Sequence, residues 1–173
     1  MDLYGLCFQH NAYIDGYNLD WFASFAGNKS YPDEGTASAY GFGPMLGNSM
    51  EDQTGFAYYF GARGDVPPTG GKVGLEYNYG SKYWTPFTQG QDDSIGSKLA
   101  TRGHVGEAYY IIDVNPRMSI KLAGIYYDFE YSGSGSPVGK PKDIDNVQDG
   151  KESSLLPAID TAYDLNATVT VQF

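Results

Sequence analysis

Nucleophilic hydrolysis needs a nucleophile, a base within hydrogen-bond reach and a third group to orient the base. His10 and His104 are the only histidines in the chain, and neither lies in a cluster with metal-ligand spacing. Ser81 and Ser97 are near His104 in sequence, yet nothing singles out either as a nucleophile. His104, beside Gly103 at a strand start, reads as a rim residue. Cys7 is the one cysteine, so there is no internal disulfide framework. Between Leu6 and Phe8 in an apparent strand, it reads as a small inward-facing filler. Oxygen donors suited to Ca²⁺ gather in the loop 132–160, at Asp143, Asp145, Asp149 and Glu152, with Asp92 and Asp93 elsewhere. Their spacing does not complete an EF-hand, which needs Gly at its sixth position and Glu at its twelfth. These residues read as a solvated acidic loop. The run GSGSP (133–137) is loop chemistry, because no helix with a following Lys-Ser/Thr pair is there to cradle a phosphate. No catalytic residue, metal site or cofactor is expected, and an enzyme is not the reading taken.

The polar residues that do fall into a pattern are those alternating with apolar ones. Arg63, Lys72, Glu76, Asn78, Lys82, Glu107, Lys121, Asp164 and Asn166 each fall on the polar phase of such a stretch. Rings of side-chain charge on the inner wall of a wide barrel set ion selectivity. In an eight-stranded barrel the interior is filled by side chains, and the same residues would pair as a polar core. The mixed signs favour internal pairing as much as conduction.

The elements that position these residues are strands. From Tyr163 to Phe173 the odd positions are apolar (Tyr163, Leu165, Ala167, Val169, Val171, Phe173) and the even ones polar (Asp164, Asn166, Thr168, Thr170, Gln172). Successive side chains point to opposite faces of a strand, so one face is apolar and the other wet. Eleven residues at ~3.3 Å span about 36 Å, and at a tilt of ~45° cover roughly 25 Å, the height of the apolar band of an outer-membrane barrel. Residues 72–83 repeat the period, with Val73, Leu75, Tyr77, Tyr79 and Tyr83 against Lys72, Glu76, Asn78 and Lys82. A lysine facing mid-membrane lipid costs about 2–4 kcal/mol. The Lys72 phase is therefore predicted to face a lumen, and Val73, Leu75, Tyr77, Tyr79, Leu165, Val169 and Val171 to face lipid. Leu75→Arg is then expected to impair assembly and Glu76→Gln not to.

Further strands are predicted at 54–63, 104–114 and 117–131, and, less distinctly, over Tyr4–Phe8, Leu19–Phe25 and the Gly/Ala-rich 36–47. In 117–131 the apolar phase changes near Gly124, which suggests a β-bulge or a strand leaving the membrane. The total is about eight antiparallel strands. With Phe173 at the periplasm, the turns near 28–35, 64–71 and 115–117 would be periplasmic. Segments 14–18, 47–53, 85–102 and 132–160 would be extracellular. The two longest loops then fall outside, the asymmetry expected of these barrels. Tyr and Trp near strand ends (Trp21, Tyr83, Trp84, Tyr131, Tyr163) fit an aromatic girdle.

A length of 173 residues suits one domain. The net charge of -10 argues against a nucleic-acid partner, since phosphate binding needs a basic face. The start MDLYG has neither the charged nor the apolar stretch of a secretory signal. A barrel reading therefore implies either a leader already removed or the C-terminal part of a longer chain.

Three stretches, GLEYNYGSKYW (74–84), SKLATRG (97–103) and YYDFEYSGSGSP (126–137), resemble an uncharacterised porin-like family of outer-membrane proteins of Gram-negative bacteria. Members are substantially longer chains, so the resemblance implies a C-terminal barrel portion. It carries over no substrate and no catalytic residue. The expectation is an all-β, antiparallel transmembrane β-barrel in the bacterial outer membrane, passing small hydrophilic solutes or ions by passive diffusion. Its partners would be outer-membrane lipid and the barrel-assembly machinery, which reads a terminal aromatic residue such as Phe173. A homo-oligomer is left open, as no stretch marks a subunit interface. Two alternatives stand beside this reading. One is a small non-conducting barrel with a structural or surface-recognition role through its long outer loops. The other is a soluble sandwich, which would fold without detergent.

Overall fold

The computed structural model describes residues 1–32, 51–86, 88, 95–136, 139–154 and 157–173. They form a seven-stranded sheet in which every neighbouring pair is antiparallel and sequence order is spatial order. The strands are β1 (Asp2–Ile14), β2 (Tyr17–Ser30), β3 (Gln53–Val66), β4 (Gly71–Gly80), β5 (Gly103–Asn115), β6 (Met118–Phe129) and β7 (Thr161–Val171). Helix is limited, among the described residues, to a 3₁₀ turn at Lys98–Ala100 and one short helix, α1 (Ile144–Gln148). No helix among the described residues is long and apolar enough to cross a membrane. The sheet is open, with β1 and β7 as its edges. The strand expected at 36–47 lies outside the described residues, as do Asp92 and Asp93.

Three tight turns stand at one end of the sheet. Asp15 and Gly16 join β1 to β2 with φ of 50° and 90°, the pair of positive values a two-residue type I′ hairpin needs. Pro67–Gly70 joins β3 to β4, closed by Thr69 N–H donating to the Val66 carbonyl at 3.1 Å. Pro116 and Arg117 join β5 to β6, and Arg117 N–H donates to Asn115 Oδ1 at 2.9 Å. Val171 pairs with Met118, so the end of β7 lies on this side as well. The long connections 31–52, 81–102 and 130–160 all leave from the opposite end. This corrects the expected placement of two segments. The 14–18 turn stands with the short turns and the segment after Ser30 with the long ones. β2 pairs directly with β3 as its antiparallel neighbour, so β1 and β2 run opposite to the expected direction. As the strands run, the separation of short from long connections is complete.

Cross-strand partners share a face, so the register sorts every strand residue. One transverse row reads Phe8, Ala23, Phe60, Tyr77, Gly106, Tyr126, Tyr163; the next reads His10, Trp21, Ala62, Leu75, Ala108, Gly124, Leu165; the third reads Ala12, Leu19, Gly64, Val73, Tyr110, Leu122, Ala167. This apolar face is uncovered: Leu75 is 65% and Leu165 87% exposed. Aromatic rings tie it together across strands, as in Phe60–Tyr77 and Tyr58–Tyr79, each with centroids 5.1 Å apart. Such pairs contribute roughly 0.2–1 kcal/mol apiece.

The opposite face is polar over most of its height but has a small core at the long-connection end. There Val105, Ile125 and Tyr127 are buried and pack with Ile95, Phe129 and Ala162. This accounts for the apolar phase change near Gly124. β6 pairs with β7 without interruption through Gly124, so there is no bulge at that position. The sequence changes phase because the second half of β6 turns apolar residues toward loop segments that cover the polar face. The register shift in this hairpin lies instead between Asp113 and Asn115, at the tight turn.

Candidate functional site: a charged face crossed by a loop segment

The polar face carries the ionisable residues, and their positions follow from the two-residue period of the strands that bear them. Glu76 on β4 and Glu107 on β5 are direct cross-strand partners. Two carboxylates in that relation repel. The repulsion is relieved from outside the sheet, by the segment leading into β5. Lys98 Nζ donates to both Glu76 Oε2 and Glu107 Oε2. Lys121 on β6 completes the group by donating to Glu107 Oε1 at 2.5 Å. Tyr59 donates its hydroxyl to Glu76. The two ammonium groups also stand over aromatic rings, Lys98 at 5.2 Å from the Tyr59 centroid and Lys121 at 4.2 Å from that of Tyr109. Burial works against the charge on Lys98, but its hydrogen bonds to Glu107 and Glu76 outweigh it and hold the ammonium above the usual lysine range.

Toward the short-turn end the pairing continues. Arg63 donates to Asp20 Oδ2 at 2.6 Å, and Lys72 lies 3.6 Å from Asp113. Asn18 Nδ2 donates to Asp65 at 2.7 Å. In the same transverse row as Glu76 and Glu107, Asp164 on β7 accepts from Asn166 Nδ2 at 2.8 Å.

The segment that brings Lys98 onto this face is anchored at several points. Asn78 Nδ2 donates to the Lys98 carbonyl at 2.9 Å, and the Trp84 indole N–H to the Leu99 carbonyl at 2.7 Å. Arg102 is 2% exposed. Its guanidinium donates to the carbonyls of Trp84, Ser132 and Ser136 at 3.1, 3.0 and 3.0 Å, and to Thr85 Oγ1 at 3.4 Å. No carboxylate among these partners compensates the charge, and burial pushes the guanidinium down to about 10. It stays protonated at neutral pH, and it ties three stretches of chain together (81–86, 95–102 and 130–136).

Of the residues expected to line a lumen, Arg63, Lys72, Glu76, Asn78, Glu107, Lys121, Asp164 and Asn166 all share the polar face. Val73, Leu75, Tyr77, Tyr79, Leu165, Val169 and Val171 all share the apolar one. Lys82 and Tyr83 do not belong to either face. β4 ends at Gly80, and both residues lie in the turn that follows. Lys82 Nζ sits there between rings, 5.9 Å from the Tyr83 centroid and 5.3 Å from that of Tyr131. The alternation of residue types runs past the strand end because the chain turns at Ser81. That turn is fixed by the Phe56 N–H, which donates to Ser81 Oγ at 2.8 Å. Phe173 lies beyond the last strand residue, fully exposed.

His104 lies near the start of β5, at the rim. Its Nδ1 is 2.5 Å from the Tyr77 hydroxyl and its Nε2 3.2 Å from Glu130 Oε1. Cys7 is on the polar face, exposed. In the acidic loop, Asp143 caps α1 by accepting from Asn146 N–H at 3.1 Å. No group of three or more His, Cys, Asp or Glu among the described residues is placed to hold a metal ion.

Sequence reasoning misses Lys98, Arg102, Asp20, Tyr59, Tyr109 and Asp113 as members of this network. Asp20, between Leu19 and Trp21, has the same alternating signal as Glu76. Lys98 and Arg102 have none, since a loop has no period to place them.

A family model described as "Protein of unknown function (DUF3373)" matches residues 1–173. No curated protein matches the chain, and no solved structure matches it.

Proposed function

The chain belongs to the DUF3373 family of proteins of unknown function, and from that premise we propose that it forms part of the wall of a bacterial outer-membrane β-barrel through which small hydrophilic solutes or ions diffuse passively. The observation that carries this reading is the uncovered apolar face spanning all seven strands, backed by a charged one. At standard strand spacing and rise that face covers on the order of 1,000 Å², whereas the largest apolar patch on a soluble monomer is about 300–600 Å². Lipid is the solvent in which such a face carries no penalty, and the strands are long enough to cross its hydrocarbon layer when tilted. The separation of tight turns from long connections supports the same reading, because outer-membrane barrels keep short turns on the periplasmic side. In this arrangement the charged face that bears Glu76, Glu107 and Lys121 is turned to the interior, and the long connections stand outside the cell. The resemblance to porin-like proteins of Gram-negative bacteria belongs to this proposal.

A second reading has an observation of its own. Lys98 and its segment lie across the polar face and neutralise its carboxylates, as in a filled interior. A narrow barrel of this kind would serve a structural or surface-recognition role through the long connections. Single-channel recording in a planar bilayer separates the two. Discrete, reproducible steps from the inserted protein support diffusion, while silence from protein shown to be folded and inserted supports the filled barrel. Stable monomeric folding in water without detergent would overturn both.

A further inference from the structure

The class of solute can be read from the charges that remain unpaired, and this step rests on the channel reading given above. Among the described residues, the polar face and the segment laid across it hold five cations: Arg63, Lys72, Lys98, Lys121 and Arg102, the last buried at 2% exposure against backbone carbonyls and turned away from any path along the face. The other four are each engaged by a carboxylate: Arg63 by Asp20, Lys72 by Asp113, Lys98 by Glu76 and Glu107, and Lys121 by Glu107. Lys98 and Lys121 share Glu107, yet among the described residues the face has more carboxylates (Asp20, Asp65, Glu76, Glu107, Asp113 and Asp164) than cations. The excess falls on Asp65 and Asp164. Among the described residues neither lies within ion-pair distance of a cation; Asp65 stands opposite Lys72 in the β3–β4 register, but Lys72 reaches Asp113 and Arg63 reaches Asp20. Each accepts instead from a neutral amide, Asn18 for Asp65 and Asn166 for Asp164.

These two carboxylates are far apart on the face. Asp65 is next to the end of β3 at the short-turn side, and Asp164 lies near the start of β7, toward the long connections. A solute moving along the polar face would therefore meet unpaired negative charge at two levels, with Arg63, Lys72, Lys98 and Lys121 engaged by carboxylates and Arg102 buried. Low-dielectric walls focus such a field, and carboxylates along a pore favour cations over anions.

We propose that this protein selects for small cations over anions, and that Asp65 and Asp164, not the paired Glu76 and Glu107, set the preference. The paired glutamates organise the face; the unpaired aspartates give it its net sign.

The test is the reversal potential of the protein in a planar bilayer under a KCl gradient. The expected result is K⁺ preferred over Cl⁻ by about fivefold, the effect of one unscreened carboxylate at close range in water. Asp65→Asn with Asp164→Asn should bring the ratio toward unity. Asp164→Lys alone, at a side chain held by Asn166, should shift it toward Cl⁻. A preference for Cl⁻ in the unaltered protein would overturn the inference and leave the channel reading standing. So would a ratio unmoved by these substitutions. Absence of conductance from inserted protein would overturn the channel reading and this inference with it.

Discussion

Glu76 and Glu107 stand directly opposite each other on β4 and β5, two carboxylates in register on one face of a sheet. Their side chains are 13% and 3% exposed. Directly opposed like charges weaken a strand pair, and here Lys98 resolves the conflict from a loop that reaches the face through no strand of its own. Removing one member of a buried ion pair costs about 3–5 kcal/mol, because the remaining charge is left buried and unpaired. Lys98→Met leaves Glu76 with the Tyr59 hydroxyl while Glu107 keeps Lys121, so it is expected to destabilise the sheet by up to that amount, read by urea unfolding in detergent micelles. Glu76→Gln, which removes one of the two opposed charges while Glu107 keeps Lys98, is expected to cost less than about 1 kcal/mol. Combined with Glu107→Gln, Lys98→Met should cost well under the sum of the two single changes; strict additivity would sink the network.

The pH dependence of this anchor has a defined sign. The folded-state pKa of Lys98 is raised above its unfolded value of about 10.4. Its contribution is then fully present below that value and is lost as pH rises through the folded pKa. Protease cleavage within 95–102, followed against pH, should stay slow at neutral pH and accelerate only on the alkaline side of the normal lysine range. Lys98→Met should remove that alkaline rise. An onset near neutral pH would contradict the assignment.

The apolar face makes a solvent-dependent prediction. Leu75→Arg places a charge in the middle of that face, at a cost of about 2–4 kcal/mol in a bilayer and close to nothing in water. Asn166→Arg, on the polar face, should cost far less. Folding yields into lipid vesicles distinguish the two; equal yields would remove the assignment of faces.

Two glycines of β5 separate backbone need from mere presence. Gly103 has φ of 136°, and a Cβ there would lie 2.2 Å from the Asp128 carbonyl oxygen. Gly106 faces open space, and a Cβ added to it would meet nothing within 4 Å. Gly103→Ala is expected to cost more than about 2 kcal/mol, and Gly106→Ala to be neutral or to stabilise by up to about 1 kcal/mol. Thermal unfolding of the two variants in micelles checks both values.

Arg102 offers a test of geometry apart from charge. Its planar fork reaches the carbonyls of Trp84, Ser132 and Ser136 together, a pattern that a lysine cannot reproduce. Arg102→Lys should leave buried carbonyls unsatisfied and cost about 2–4 kcal/mol, seen as faster proteolysis of 81–86 and 130–136 alike. Protection unchanged in both stretches would show that the three segments are held by something else.

How far local pattern reaches, and where the assembled sheet takes over, is clear in particular residues. Leu75 and Glu76, or Leu165 and Asn166, are assigned to opposite faces by the two-residue period alone, because side-chain alternation is a local property of any extended chain. The same rule reaches its limit at Lys82, where the alternation of residue types outlasts the strand. It fails for the 14–18 turn as well, since strand direction there, set from Phe173, depends on the number of strands counted between the two. Near Gly124 the apparent irregularity has a tertiary cause: Ile125 and Tyr127 are apolar because loop segments cover them. Lys98 and Arg102 give no local signal at all. Loops have no repeat, and the carboxylate pair that Lys98 neutralises exists only once β4 and β5 have taken their register. Alternation along the chain is therefore enough to specify an antiparallel sheet with one apolar and one charged face. Which charges meet is settled at the level of the folded sheet, because ion pairing depends on contacts between residues distant in the chain.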